Sequence, residues 1–169
     1  MKIVRSSSKL VATATAALLA TALLAPGAVA VTSADQTRET YVAQVEPICK
    51  TNTKANEQIL SGVRKKIQKG QLQVAAGQFS KAANAFGKAI KQLKAVPQPP
   101  ADAAKLGKWL GYLETEQKML GEISKALKAD KKSRAQTLSV QLTRNGTRAN
   151  NAVLGFDFDY CLIDSSKFS

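Results

Sequence analysis

Between Gln36 and Leu154, apolar side chains recur every three or four residues, and breaks in that rhythm divide the chain into four segments. Such spacing places them along one face of an α-helix. The first segment, 36 to 69, carries Tyr41, Val45, Ile48, Ala55, Ile59, Val63 and Ile67, with Asn52 in the same stripe. Pro47 removes a backbone donor inside it, which predicts a kink or a fresh start with Pro47 in the first turn. Gly70 marks the turn that follows. The second segment, Leu72 to Val96, repeats Leu72, Ala75, Ala76, Phe79, Ala82, Ala83, Phe86, Ile90 and Leu93, small residues for close approach and two rings for volume. Pro97 to Pro100 end it.

The third segment, Asp102 to Ala129, presents Leu106, Leu110, Leu113, Leu120, Ile123 and Leu127, with Trp109 at the edge of the stripe. After the break at 130 to 133, Ser133 to Leu154 carries a weaker stripe of Ala135, Leu138, Leu142, Ala149, Ala152 and Val153. Four amphipathic segments with short connections bury their stripes best as an antiparallel up-down four-helix bundle, an all-α fold. Past Gly155 the helical period gives way to alternation, with Phe156, Phe158 and Tyr160 separated by Asp157 and Asp159. This predicts an extended tail whose rings cover the bundle end while the aspartates face water.

The first 30 residues have a different character. Lys2, Arg5 and Lys9 precede an apolar run of 16 residues from Leu10 to Ala25, and Ala28 and Ala30 form an A-x-A site. The pattern is that of a signal peptide cleaved after Ala30, because the run is shorter than the roughly 20 residues that span a bilayer. Residues 31 to 169 then form one domain, secreted or otherwise extracytoplasmic, with no transmembrane segment. Export also sets the reading of Cys49 and Cys161, the only two cysteines. In an oxidising compartment such a pair predicts a disulfide, here stapling the tail to the first helix. An up-down path brings those two positions to the same end.

The chain carries 25 Lys and Arg against 12 Asp and Glu, a net charge of +13, which falls to +10 when the three bases of the leader are removed. That excess favours anionic partners. For an exported protein these are an envelope polymer, a lipid headgroup or an acidic protein rather than a specific nucleic acid. The bases concentrate at Arg64, Lys65, Lys66 and Lys69, and at Lys125, Lys128, Lys131, Lys132 and Arg134, which the bundle topology places at one pole. Clusters of this kind also serve simply as solvated surface. At the cysteine end, NTKAN (52 to 56) and GTRAN (146 to 150) bring Asn52, Asn56, Asn145 and Asn150 near one another. They form a polar layer that sets helix register or, alternatively, a small polar pocket.

No constellation of catalytic residues emerges. There is no histidine, so a serine or cysteine nucleophile lacks its commonest base, and Glu114 and Glu116 do not share a helix face. Cofactor motifs are absent. Asp157, Asp159 and Asp164 lack the glycine and distal glutamate of an EF-hand loop. The expectation is a non-enzymatic protein without cofactor or metal.

The segments YVAQVEPICK, ANEQIL, AVPQPPAD and RANNAVLGFDFDYC, with KFS behind the last, resemble a group of small exported actinobacterial helical proteins of unassigned function with one cysteine pair. The resemblance covers most of the mature region and implies export, a helical fold and pairing of Cys49 with Cys161. It carries over no catalytic or binding residue. Two functional classes stand at this point: a module that binds an anionic component of the cell envelope through the basic pole, and a structural or protein-interaction bundle with no polyanion ligand.

Overall fold

The computed structural model describes residues 36–164. The leader, its cleavage point and the last five residues lie outside them. Among the described residues the protein is all-helical, with four long helices, α1 (Arg38–Leu60), α3 (Leu72–Ala95), α4 (Ala103–Lys128) and α5 (Lys132–Ala152). A short α2 (Val63–Gln68) follows α1, and a 3-10 turn (Pro100–Asp102) leads into α4. Helix α1 packs on α3, α3 on α4 and α4 on α5. None of these helices is long and apolar enough to cross a membrane.

Helix α1 starts at a capping box in which Thr37 and Thr40 each accept the other's backbone N–H, at 3.2 and 3.0 Å. It continues as helix past Pro47, which lies more than two turns inside it. Pro47 and Ala43, whose carbonyl loses its helical donor, are both exposed, so water can satisfy the freed group. The interruption of the first predicted segment falls instead at Ser61 and Gly62, where Gly62 adopts a left-handed backbone with φ of 66°. The Gln78 side chain of α3 donates to the carbonyls of Ile59 and Ser61 at 2.6 and 3.2 Å, satisfying the open end of α1.

Helices α3 and α4 meet along the stripes that their sequences present. All nine predicted core positions of the second segment are buried, as are all six leucine and isoleucine positions of the third. At Gly87 the Gln117 side-chain amide folds into the space that a Cβ would take. Ser124 donates to the Ala76 carbonyl at 2.7 Å within the same contact. Trp109 is fully buried rather than at an edge, since the tail closes over it.

The tail follows its predicted pattern only in part. Phe156 and Phe158 are buried, with ring centroids 5.4 Å apart, and Phe158 lies 5.5 Å from Trp109. Tyr160 is exposed instead, with the Lys50 ammonium 4.8 Å from its ring centroid. Left-handed backbone at Gly155 and Asp157 breaks the regular alternation. The chain then turns so that Cys161 reaches Cys49 with Cα atoms 5.0 Å apart.

Candidate functional site

Arg38, Glu46, Cys49 and Thr53 of α1 hold the tail, Thr53 by donating its hydroxyl to the Tyr160 carbonyl at 3.3 Å. Arg38 forms a bidentate pair with Asp102, Nε to Oδ2 at 2.9 Å and Nη2 to Oδ1 at 2.7 Å, and also donates to the Gly155 carbonyl at 3.2 Å. Its guanidinium stands 4.9 Å from the centroid of Phe156 and holds the buried Asp102 carboxyl below the usual carboxylate range. Two turns further on, the Glu46 carboxylate accepts the backbone N–H groups of Asp159, Tyr160 and Cys161 at 3.0 to 3.4 Å. The disulfide follows at Cys49. Sequence reasoning reached the cysteines but not Arg38 or Glu46, which look like ordinary surface charges until the tail is in place.

Beneath this clasp lies a cavity of about 230 Å³. Phe79, Phe86 and Leu93 of α3, with Trp109 and Leu113 of α4, form much of its wall, and tail residues 159 to 164 border it. Its polar lining comes from Asn52, Thr53 and Asn56 of α1, Glu116 of α4 and Asp159 and Asp164 of the tail. Among the described residues, no Lys or Arg lines the wall. Asn56 donates through Nδ2 to Asn52 Oδ1 at 3.1 Å, a bond within α1 that leaves the buried Asn56 Oδ1 without a partner. Trp109 Nε1 and Glu116 Oε2 are likewise buried and unpartnered.

Glu116 is the unexpected member. Burial pushes its carboxyl from 4.5 up to about 8, against the opposing effect of a hydrogen bond from Asn145, so the neutral acid is the favoured form at neutral pH. The signal for it lies in the periodicity: Glu116 stands three residues after Leu113 and four before Leu120, on the buried stripe of α4. Comparing it only with Glu114 hides that position.

The four predicted asparagines do not form one layer. Asn52 and Asn56 border the cavity. Asn145 is buried on α5 and donates to the Tyr112 carbonyl of α4 at 2.9 Å. Asn150 binds Ile163 twice, donating to its carbonyl at 3.0 Å and accepting its N–H at 2.8 Å. Asn145 and Asn150 thus tie α5 to neighbouring backbone, while Asn56 bonds Asn52 within α1. Gly146 completes the arrangement, because Ile163 Cγ2 would lie 3.0 Å from a Cβ there.

The basic residues gather around the other connections. Gln73, at the start of α3, donates to the Lys128 carbonyl at the end of α4 at 3.0 Å. Gly70 and Leu72 border the same shallow hollow as Leu127, Asp130 and Lys132. This brings the turn after α2 beside the turn between α4 and α5. Eight of the nine bases are exposed, Lys66 being partly buried. Lys125 pairs with Glu122 at 2.8 Å and Lys132 lies 3.9 Å from Asp130. Among the described residues the other seven form no ion pair.

Comparison with protein-family models, curated proteins and solved structures finds no match. The reading of function therefore rests on the geometry itself.

Proposed function

We propose that the chain is an exported, non-enzymatic helical-bundle protein that attaches through its basic end to an anionic component of the cell envelope. Residues 31 to 169 are the mature domain, released by cleavage after Ala30, and its four long helices run up and down. Two links support that topology. The disulfide joins the first half of α1 to the segment after α5, and the Gln73 bond joins the start of α3 to the end of α4. A disulfide that closes most of the domain also fits an oxidising compartment.

The observation that carries the attachment is the meeting of Arg64 to Lys69 with Lys125 to Arg134 around two touching turns, with little local neutralisation. Charges so placed produce a potential that accumulates phosphates or carboxylates and weakens as salt screens it. The mature protein is expected to sediment with phosphatidylglycerol vesicles at low salt and to stay in solution with phosphatidylcholine vesicles. Replacing Lys65, Lys69, Lys128 and Lys131 by glutamate should abolish sedimentation while leaving the helical circular dichroism unchanged, since all four are exposed. Equal sedimentation with both lipids would refute the electrostatic reading and favour a bundle with a protein partner.

A further inference from the structure

Attachment through the basic end leaves the cavity under the clasp without a role. Its size and chemistry are informative. A dry apolar void of about 150 Å³ accommodates benzene, whereas drug-sized ligands occupy about 300 Å³ or more. At about 230 Å³ the present cavity suits a single ring, or a chain of similar bulk, with a small substituent. The wall is chiefly aromatic and aliphatic, which matches such a body.

The polar side narrows the class further. Buried polar groups in folded proteins nearly always have partners, yet three residues of this wall, Asn56, Trp109 and Glu116, each at least nine-tenths buried, carry an unpartnered polar atom. Asn56 gives one of its two amide hydrogens to Asn52, and its unpartnered oxygen calls for a donor. The Glu116 carboxyl, held neutral by burial, can donate as well as accept. Among the described residues a ligand anion would find no Lys or Arg in the wall, and Asp159 and Asp164 border it as well. A hydroxyl, which donates and accepts from one atom, answers both groups.

We propose that the cavity binds a small neutral amphipathic molecule, its apolar body among Phe79, Phe86, Leu93 and Trp109 and its hydroxyl head on the Asn56 and Glu116 side. Site and clasp are coupled, because residues 159 to 164 border the cavity and are held by Glu46, Asn150 and the disulfide. The basic end plays no part in this binding, so the two activities are separable by mutation.

The test uses Trp109, the single tryptophan, as its reporter. The mature disulfide-bonded protein is titrated at pH 6 with benzyl alcohol and, separately, with toluene, following tryptophan fluorescence and the thermal midpoint. Benzyl alcohol is expected to give a saturable fluorescence change and to raise the midpoint. In Glu116→Leu its affinity should fall about tenfold, the usual effect of losing one buried hydrogen bond, while that for toluene stays within about twofold. No saturable response to either probe would overturn the proposal, leaving a water-filled space. Binding of toluene with exclusion of benzyl alcohol would also overturn it, as the behaviour of a dry void, and so would tighter binding of benzylamine, which requires a charged head. Unchanged benzyl alcohol affinity in Glu116→Leu would remove the assigned head position.

Discussion

Replacing Cys49 and Cys161 together by alanine is expected to lower the free energy of unfolding by about 4 to 5 kcal/mol. The bond closes a loop of 112 residues, and in the chain-entropy model a closure of that length restricts the unfolded ensemble by about that amount. Contacts in the folded state act in the same direction. Without the bond, the tail is held by Glu46, Arg38, Thr53 and Asn150 and by the burial of Phe156 and Phe158, and any loosening exposes Trp109 as well. Urea unfolding at pH 7 reads the difference directly. Limited proteolysis should then cut the alanine variant first between residues 154 and 164. A loss below about 1 kcal/mol would contradict the chain-entropy account, with native strain or residual structure in the unfolded chain cancelling the gain.

Glu116 should make stability depend on pH in a direction opposite to that of an ion-paired carboxylate. Below about pH 4.5 it is protonated in both the folded and the unfolded chain and contributes no pH dependence. As pH rises from 4.5 towards 8 the unfolded chain releases this proton while the folded protein keeps it, so stability falls by about 1.4 kcal/mol per pH unit. Above about 8 both forms are ionised and the penalty is constant. At pH 7 the accumulated cost is on the order of 3 kcal/mol. Glu116→Gln keeps the shape and removes the titration. Its advantage over the wild type should therefore be small at pH 4.5 and grow to about 2 to 3 kcal/mol at pH 7, read as the difference between two sets of urea curves. A difference that does not change with pH would show that the carboxyl is ionised and solvated in the folded protein.

The parts of the fold that were legible in the sequence are those governed by local periodicity. Helices α3 and α4 begin and end within a residue or so of the breaks that Gly70, the Pro97 to Pro100 run and Asp130 impose, and their stripes name their core. The first segment was harder to read. Pro47 is the strongest local breaker in it, yet its exposed setting lets α1 continue, while the decisive interruption comes from Gly62, whose left-handed backbone leaves no mark in the apolar pattern. Alternation in the tail predicted the burial of Phe156 and Phe158 but put Tyr160 with them. The turn that presents three backbone N–H groups to Glu46 moves that ring outside.

The cavity was legible only as fragments. Asn52 and Asn56 drew notice as polar residues on or near an apolar stripe, and Glu116 occupies a comparable place on α4 that its spacing from Leu113 and Leu120 reveals. That these residues share one space depends on how α1, α3, α4 and the tail meet, which periodicity does not encode. The basic end is the reverse case. Its residues are obvious in the sequence, and the structure adds the contact between the two turns that carry them.

The proposed attachment to the envelope through that end is tested most directly in the organism that makes the protein, where polymers and lipids are both present. The protein is followed between culture fluid and washed envelope as the salt concentration is stepped upward, for the natural chain and for the variant with glutamate at 65, 69, 128 and 131. The account predicts an envelope-bound natural protein released by salt and a variant that is free from the start. A natural protein already free at low salt, or one that stays bound at high salt together with the variant, would contradict it.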